Sequence, residues 1–317
     1  MLYRGLTIAL GIPCYNEERT IATVIQDFQT AIPQLDIHIL DNQSTDRTAQ
    51  IAAKGGAKVI SVPLRGKGNV VRRMFADIEA DIFVMVDGDA TYDATSVRRM
   101  VDRLIDDRLD MVVGCRKPSD AHAGAAYRPG HRFGNRVLTE GVARIFGGDV
   151  TDMLSGYRVF SRRFAKTFPA LSRGFEIETE LTVHALELRM PWAEELTAYG
   201  ARPEGSQSKL ATYSDGARIL TTIGRLYIAE RPLQFYATVA GVVSFVTFLL
   251  ASPIVIEFFK TGLVPRLPTA VLCAALAVCA LLSLTCGLIL DNVVRSRQEI
   301  KRLAYLAIPH VQQRQES

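Results

Sequence analysis

The stretch DIFVMVDGDATYD, residues 81–93, decides the fold. Its apolar run, Ile82–Val86, is continuous rather than alternating, which is the pattern of a strand buried on both faces. The run stops at Asp87 and Asp89, two carboxylates with only Gly88 between them. Carboxylates this close repel and resist burial, so a positive group belongs between or beside them. A pair at i and i+2 suits a hard divalent cation, which takes one or two carboxylates and leaves places for water and phosphate oxygens. Taken alone, the triplet also reads as a plain turn. Its place just past a buried strand favours a site, because ligands in such sheets gather at the carboxyl ends of strands.

Outward from this stretch, short apolar runs alternate with amphipathic segments. The other runs are Leu6–Ile12, Ile37–Leu40, Val59–Val62 and Met111–Val113. Helices are predicted over Thr20–Ala31, Thr45–Ala53, Gly68–Ile78 and Ala94–Ile105. Asp46 near the start of the second helix and Lys54 near its end have the signs a helix dipole prefers. Alternating buried strands and helices predict an α/β domain with a mostly parallel sheet flanked by helices. The clusters PCYNEE, DNQSTD and DGDATYD each follow a strand, so they converge on one crevice. Beyond residue 115, RKPSDAHAGAAYRPGHRFGN and ARPEGSQSKL have loop composition, and helices are expected over Arg132–Phe146 and Glu176–Leu188.

The chain has 317 residues, 48% hydrophobic and 22% charged, with a net charge of +4. The apolar excess is concentrated near the C-terminus. Leu233–Phe259 carries no charge before Glu257, and at 1.5 Å per residue it reaches roughly 40 Å, enough to cross a hydrocarbon core of about 30 Å with tilt. Thr269–Leu290 is a second uncharged run of spanning length, and Pro253 is a place for a kink in the first. A pair of buried core helices is the competing reading. Arg218, Arg225, Arg231, Arg295, Arg297, Lys301 and Arg302 flank the outer ends of the pair, against Lys260 and Arg266 in the connecting loop. The positive-inside rule then places both outer ends, and the large domain, in the cytoplasm. Residues 211–232 read as an amphipathic juxtamembrane helix, lying either on the bilayer or on the domain. The expected organisation is a domain over 1–210, this helix, spans over 233–259 and 268–290, and a cytoplasmic tail over 291–317. Five cysteines without a CxxC pair argue against a disulfide framework or zinc site. The modest positive charge favours anionic partners, membrane lipid, phosphates or nucleic acid; taken with the rest of the chain, no nucleic-acid partner is expected.

The set IPCYNEE, DNQSTDRT, RGKGNVVRR and DGD, in this order and at these strand ends, resembles the inverting glycosyltransferases of family 2, which have a GT-A fold. TDMLSGYR and RPEGSQSK, followed by two spans, resemble the polyprenyl-phosphate branch of that family, which includes dolichyl-phosphate mannose synthases and bactoprenol glucosyltransferases. The resemblance implies a GT-A-like sheet plus a transmembrane hairpin, a nucleotide-sugar donor, a polyprenyl-phosphate acceptor, a Mg2+ or Mn2+ cofactor, a homo-oligomer, and a multi-pass protein of the inner (plasma) membrane. It places Pro13, Tyr15 and Glu17 along the nucleoside, Asp41 on the base (with a mild preference for uracil), and Lys67 beside the nucleotide. It places Asp87 on the ribose and sugar side and makes Asp89 the metal ligand. Arg116 and Arg132 would bind the acceptor phosphate, with Asp152, Ser155 and Arg158 beside it. Arg202, Ser208 and Lys209 would close over the pyrophosphate. Asp87, Asp89, Asp152 and Arg202 are the expected catalytic set.

The residues allow other roles. Tyr15 also suits plain packing at a strand end, Asp41 and Asp46 also suit helix capping, and the cap is preferred for Asp46. Lys67 sits in a Gly-flanked loop before a helix, suited to phosphate or to solvent. His122 and His131 are read as solvated loop residues. The acceptor phosphate is already anionic near neutral pH, so strong general-base help is not needed, and Asp152 is expected to position it. Where the branch often has Gln and then Pro-Pro, this chain has Thr91 and then Asp93-Ala94, which weakens any inference about the sugar. The lone tryptophan, Trp192, lies in RMPWAEE, so the Q-x-x-R-W motif of processive synthases is absent, and GIPCYNEE stands where a dinucleotide-binding chain needs G-x-G-x-x-G. A catalytically inactive nucleotide-sugar-binding scaffold and a transferase with a non-lipid glycan acceptor remain as alternatives.

Overall fold

The computed structural model describes residues 2–118, 150–171, 176–200 and 227–311, with the isolated positions 141, 147, 174, 221, 224 and 225. The chain forms two compact units, Met1–Leu220 with Lys301–Ser317, and Thr221–Ile300.

The first unit is built on seven strands, β1 (Ile8–Cys14), β2 (Asp36–Asp41), β3 (Lys58–Ser61), β4 (Ile82–Met85), β5 (Met111–Pro118), β6 (Arg158–Ser161) and β7 (Trp192–Tyr199). They lie in the order β3-β2-β1-β4-β6-β5-β7. All pairings are parallel except those of β6, which runs antiparallel to β4 and β5. The helices are α1 (Ile21–Ala31), α2 (Thr48–Lys54), α3 (Lys67–Asp77), α4 (Ser96–Asp106), α5 (Arg162–Thr167) and α6 (Ile177–Glu187).

The apolar runs fold as strands because both faces are covered. On one face, Ile8, Leu10 and Ile12 of β1 meet Val24, Ile25 and Phe28 of α1 and Val97, Met100, Val101 and Leu104 of α4. On the other, Ala9 of β1 and Phe83 and Met85 of β4 meet Val70, Val71, Met74 and Phe75 of α3 and Phe164 of α5. Each such large side chain contributes roughly 1.5–3 kcal/mol when fully buried. Gly11 lets α3 approach closely, since a Cβ there would collide with the Met74 sulfur.

The five strands and five of the helices expected from periodicity are present. The strands β6 and β7 and the short helix α5 were not anticipated. RVFS is four residues long and begins with arginine, and WAEELTAY carries two adjacent glutamates, so neither has a strand-like run. β7 is the sheet edge, and α4 covers it: Arg103 Nη1 donates to Glu194 O (2.7 Å) and Arg99 Nη2 to Leu196 O (3.3 Å). Capping an edge this way removes its open hydrogen-bonding row. The helix expected over Arg132–Phe146 lies almost wholly outside the described residues, and so does most of the juxtamembrane helix.

The C-terminal residues of the first unit dock on it. The Tyr305 hydroxyl donates to Asp110 Oδ2 (2.7 Å), and Lys301 pairs with Glu187 (2.6 Å). Asp110 is fully buried and also accepts from Ser161 and from both Nε and Nη2 of Arg163.

The second unit holds two long helices, α7 (Pro232–Thr261) and α8 (Leu267–Leu306), whose last residues from Lys301 belong to the first unit. The first begins with Pro232, whose missing N–H costs nothing at a helix start, and ends at Gly262 in the left-handed region (φ 67°). It continues through Pro253. The two helices touch at Gly287, which lies against Leu233 and Tyr236, and Ser283 Oγ donates to Tyr236 O (3.2 Å). Both are long and apolar enough to cross a membrane, and their large side chains face outward: Phe248 is 68% and Phe259 83% exposed. The second helix runs past the expected span end at Leu290 to Leu306.

Candidate active site

The site sits at the carboxyl ends of β1, β2 and β4. The turn after β4 is fixed from two sides. Thr20 Oγ1 donates to Gly88 O (2.6 Å), tying the loop after β1 to the Asp-Gly-Asp turn. Gly200 N donates to Thr91 O (2.9 Å), and Tyr92 bridges to Tyr199, tying the same turn to the end of β7.

Asp89 is buried, and its Oδ1 accepts from the Thr91 hydroxyl (2.6 Å) and backbone N–H (3.3 Å). The threonine that replaces the expected glutamine therefore orients the carboxylate. Among the described residues no three His, Cys, Asp or Glu side chains gather into a ligand cage. The donor set around Asp89 fits a divalent cation whose shell is completed by substrate oxygens and water rather than by protein alone.

Asp87 lies on the other side of the turn, where Lys67 bridges its Oδ1 (2.5 Å) to Oε1 of Glu178 on α6 (2.6 Å). Burial works to strip the Lys67 proton. The two adjacent carboxylates outweigh it and hold the pKa above the ordinary lysine value, so Lys67 is a fixed cation. Lys67 is placed by the loop before it. Asn42, next to Asp41, donates to Val62 O (3.0 Å) and Leu64 O (2.7 Å) and accepts from Gly66 N (2.7 Å). Gly66 has φ 115°, a conformation that favours glycine, and opens α3 with Lys67 as its first residue.

Asp41 is buried at the end of β2, with Oδ2 held by Ser44 N (3.4 Å) and Oδ1 without a partner among the described residues. Asp46 serves the capping role. It accepts from Thr48 N (2.9 Å), the Thr48 hydroxyl (2.5 Å) and Glu18 N (3.1 Å). Burial raises its pKa, but these bonds outweigh that and lower it overall. Pro13, near the end of β1, and Tyr15 and Glu17, in the loop after it, are half-buried, with Glu17 N donating to Thr48 Oγ1 (2.8 Å). The Arg65 guanidinium lies over the Tyr15 ring, 5.2 Å from its centre.

The loop from Asp152 to Arg158 forms the opposite wall. Arg116 grips Asp152 with both arms of its guanidinium, Nε to Oδ2 (2.7 Å) and Nη2 to Oδ1 (2.6 Å), and lies over the Tyr199 ring. Two residues expected at the acceptor phosphate are placed elsewhere. Ser155 is fully buried and its hydroxyl donates to Gly114 O (2.6 Å). Arg158 is also fully buried, and it donates to Ser155 O (2.9 Å), Thr182 Oγ1 (2.8 Å) and Met153 O (2.6 Å). Its donors are spent shaping the 153–155 loop from beneath, so it does not reach the crevice. Arg132, Arg202, Ser208 and Lys209 lie outside the described residues, as do His122 and His131.

Sequence reasoning missed Glu178, Gly156, Thr20 and Asn42. For Glu178 a signal existed. IETELTVHALE is apolar enough to be buried, and a buried helix carrying a glutamate needs a cation beside it. Gly156 packs so tightly that a Cβ would lie 2.5 Å from Asp87 Oδ2 and 3.0 Å from Lys67 Nζ. The arrangement presents a buried carboxylate suited to a cation, a fixed lysine, and an arginine able to meet an anion, all around one crevice.

The family model for glycosyl transferase family 2 matches residues 10–168. Glycosyltransferase AglJ of Haloferax volcanii is 36% identical over 73% of this chain and 76% of its own. A dolichyl-phosphate hexose transferase of the same organism is 27% identical over 72% of this chain and 96% of its own. Glucosyl-3-phosphoglycerate synthase of Mycobacterium tuberculosis is 25% identical with a TM-score of 0.56, covering 69% of this chain and 80% of that one. Its complex with Mn2+ and UDP-glucose gives a TM-score of 0.52 at 25% identity, over 71% of this chain and 77% of that one.

Proposed function

This chain belongs to glycosyl transferase family 2, and on that premise we propose that it moves a sugar, with inversion, from a UDP-sugar to a polyprenyl phosphate at the cytoplasmic face of a membrane. One observation carries the reading. The 152–158 loop brings a bidentate arginine–carboxylate pair, Arg116–Asp152, onto the wall opposite Asp87 and Lys67, while its Gly156 touches both of those residues. A donor side and an anion-binding side therefore share one crevice.

The unpartnered Asp41 Oδ1 is an acceptor awaiting a donor, and a uracil N3–H supplies one. Tyr15 offers the base a ring face, with Pro13 at the end of β1 and Glu17 in the loop beside it. Asp89 is the residue to hold Mg2+ or Mn2+ together with the diphosphate, and the bound cation supplies Lewis-acid neutralisation of the leaving group. Asp87, pinned by Lys67, orients the sugar side. Arg116 meets the acceptor phosphate, and Asp152 sets the plane of its guanidinium. The phosphate oxygen then attacks the anomeric carbon, already charged and in need of no strong base. Arg132, Arg202, Ser208 and Lys209 complete the acceptor and closing-loop assignments.

Two exposed apolar helices support a lipid setting, and so does the similarity to a dolichyl-phosphate hexose transferase. The arginine-rich flanks favour cytoplasmic placement of both helix ends, and the family resemblance adds a self-associating, multi-pass protein of the inner membrane. The neighbour that makes glucosyl-3-phosphoglycerate favours a second reading, a small phosphorylated acceptor met by the same Arg116.

The test is transfer from radiolabelled UDP-glucose, UDP-galactose, UDP-N-acetylglucosamine and GDP-mannose, each offered undecaprenyl phosphate or 3-phosphoglycerate with Mn2+. Label extracted into organic solvent with one UDP-sugar is expected. Label only in a water-soluble product overturns the lipid acceptor, and no transfer to either acceptor supports a binding scaffold.

A further inference from the structure

The hydroxyl of Tyr92 lies where the two sides of the crevice meet. Its ring packs at a tilt against Tyr157 (5.4 Å between centres, 60°) and edge-on against Tyr199 (5.3 Å, 68°), and Arg116 lies over the Tyr199 ring. Its oxygen accepts from Gly156 N (3.0 Å). Gly156 is the same residue at which a Cβ would lie 2.5 Å from Asp87 Oδ2 and 3.0 Å from Lys67 Nζ. The phenol is thus one residue from the donor-side ion pair, three positions after Asp89, and one ring from the acceptor-side arginine.

A phenol has one proton to give and can also accept. Tyr92 uses its acceptor capacity on Gly156, and no described residue takes its proton. Burial pushes the phenol well above its ordinary pKa, with Arg116 opposing, so the proton stays in place at neutral pH. The two flanking aromatic rings fix the position of the phenol oxygen, so little ordering of the side chain is left to binding.

We propose that Tyr92 is a contact residue of the transfer reaction, donating its hydroxyl hydrogen bond to the diphosphate oxygen that departs from the sugar. This rests on the nucleotide-sugar reading above. As the acceptor oxygen bonds to the anomeric carbon, the bond from that carbon to the diphosphate breaks and its electron pair goes to the diphosphate oxygen. The phenol keeps its proton throughout and stabilises the charge growing on that oxygen. Such a donor acts more strongly on the departing oxygen than on the intact donor, where the same oxygen is esterified and less charged.

The test compares the full-length wild type, Tyr92→Phe and Tyr157→Phe in detergent. Titration calorimetry with Mn2+ measures UDP and UDP-glucose binding, and transfer assays with the UDP-sugar that proves active give kcat and KM. Tyr157 supplies the control, because its hydroxyl is buried with no partner among the described residues and its ring packs against that of Tyr92. For Tyr92→Phe, we expect kcat to fall about 10²-fold with KM within about twofold. UDP affinity should fall about tenfold while UDP-glucose affinity holds, and Tyr157→Phe should match the wild type in all four quantities. Wild-type binding with unchanged kcat and UDP affinity in Tyr92→Phe overturns this assignment alone. Equal losses in both variants also overturn it, since packing rather than the hydroxyl is then responsible. A wild type that binds neither nucleotide overturns the donor reading and this assignment with it.

Discussion

Gly156 shows how one missing methyl group organises this crevice. Its N–H holds Tyr92, and a Cβ there would lie 2.5 Å from Asp87 Oδ2 and 3.0 Å from Lys67 Nζ, so side-chain volume must displace the Asp87 carboxylate. Gly156→Ala is therefore expected to lower kcat about 10²-fold with the fold retained, read by transfer kinetics beside circular dichroism. A second residue-scale prediction concerns pH. His184 is buried between Phe164 and Phe168 with Nδ1 unpartnered; burial, then the nearby Lys301 charge, lower its pKa from 6.5 to about 3. Between these values the unfolded chain binds a proton that the folded chain refuses, so stability falls as pH drops below 6.5, by at most about 1.4 kcal/mol per pH unit. The melting temperature in detergent should fall from pH 7 to pH 5, and less so in His184→Gln. The aspartates held low by hydrogen bonds, Asp46 and Asp93, act only in more acidic solution, where stability present above their unfolded pKa is lost. Asp87 and Asp89 were legible in the sequence because an apolar strand ended on them. Glu178 was less so, because its partner Lys67 is distant along the chain and nothing local announces the pair.

At the scale of elements, periodicity located the helices and strands whose apolar residues meet one continuous core. It missed β6 and β7, whose pairing is set by neighbours rather than by their own pattern. Four residues of β6 are strand because Met85 and Val113 lie on either side of Arg158, and β7 is strand because β5 offers it eight partners in register. The acceptor-phosphate expectation for Ser155 and Arg158 failed for a related reason. Motif spacing gives a residue's neighbours in sequence, while the antiparallel return of β6 turns Arg158 into the core and the loop before it buries Ser155 against Gly114. In the second unit the helix contact at Gly287 leaves no room for a side chain, since a Cβ would lie 2.9 Å from that of Tyr236. Gly287→Leu should destabilise the helix pair by roughly 1–3 kcal/mol, seen as a lower melting temperature in detergent. Ser283→Ala, which removes only the bond to Tyr236 O, should cost less than about 1 kcal/mol.

For the molecule as a whole, the pairing of a transferase domain with two apolar helices makes metal and lipid the informative variables. Chelation with EDTA is expected to abolish transfer and Mn2+ or Mg2+ to restore it, because Asp89 is proposed to hold a divalent cation shared with the diphosphate. Transfer that persists in EDTA would remove Asp89 from its assigned role. The sequence by itself determined the layered α/β domain, the carboxylates at its strand ends and the two long apolar helices. Each of these is written in local runs, and a run of apolar residues has the same consequence wherever it folds. Only the tertiary structure decided which polar residues face the crevice. Arg158 turned inward, Glu178 came to Lys67, and Tyr92 was clamped over Gly156, because burial and pairing are settled between segments far apart in the chain, where no local pattern records the partner.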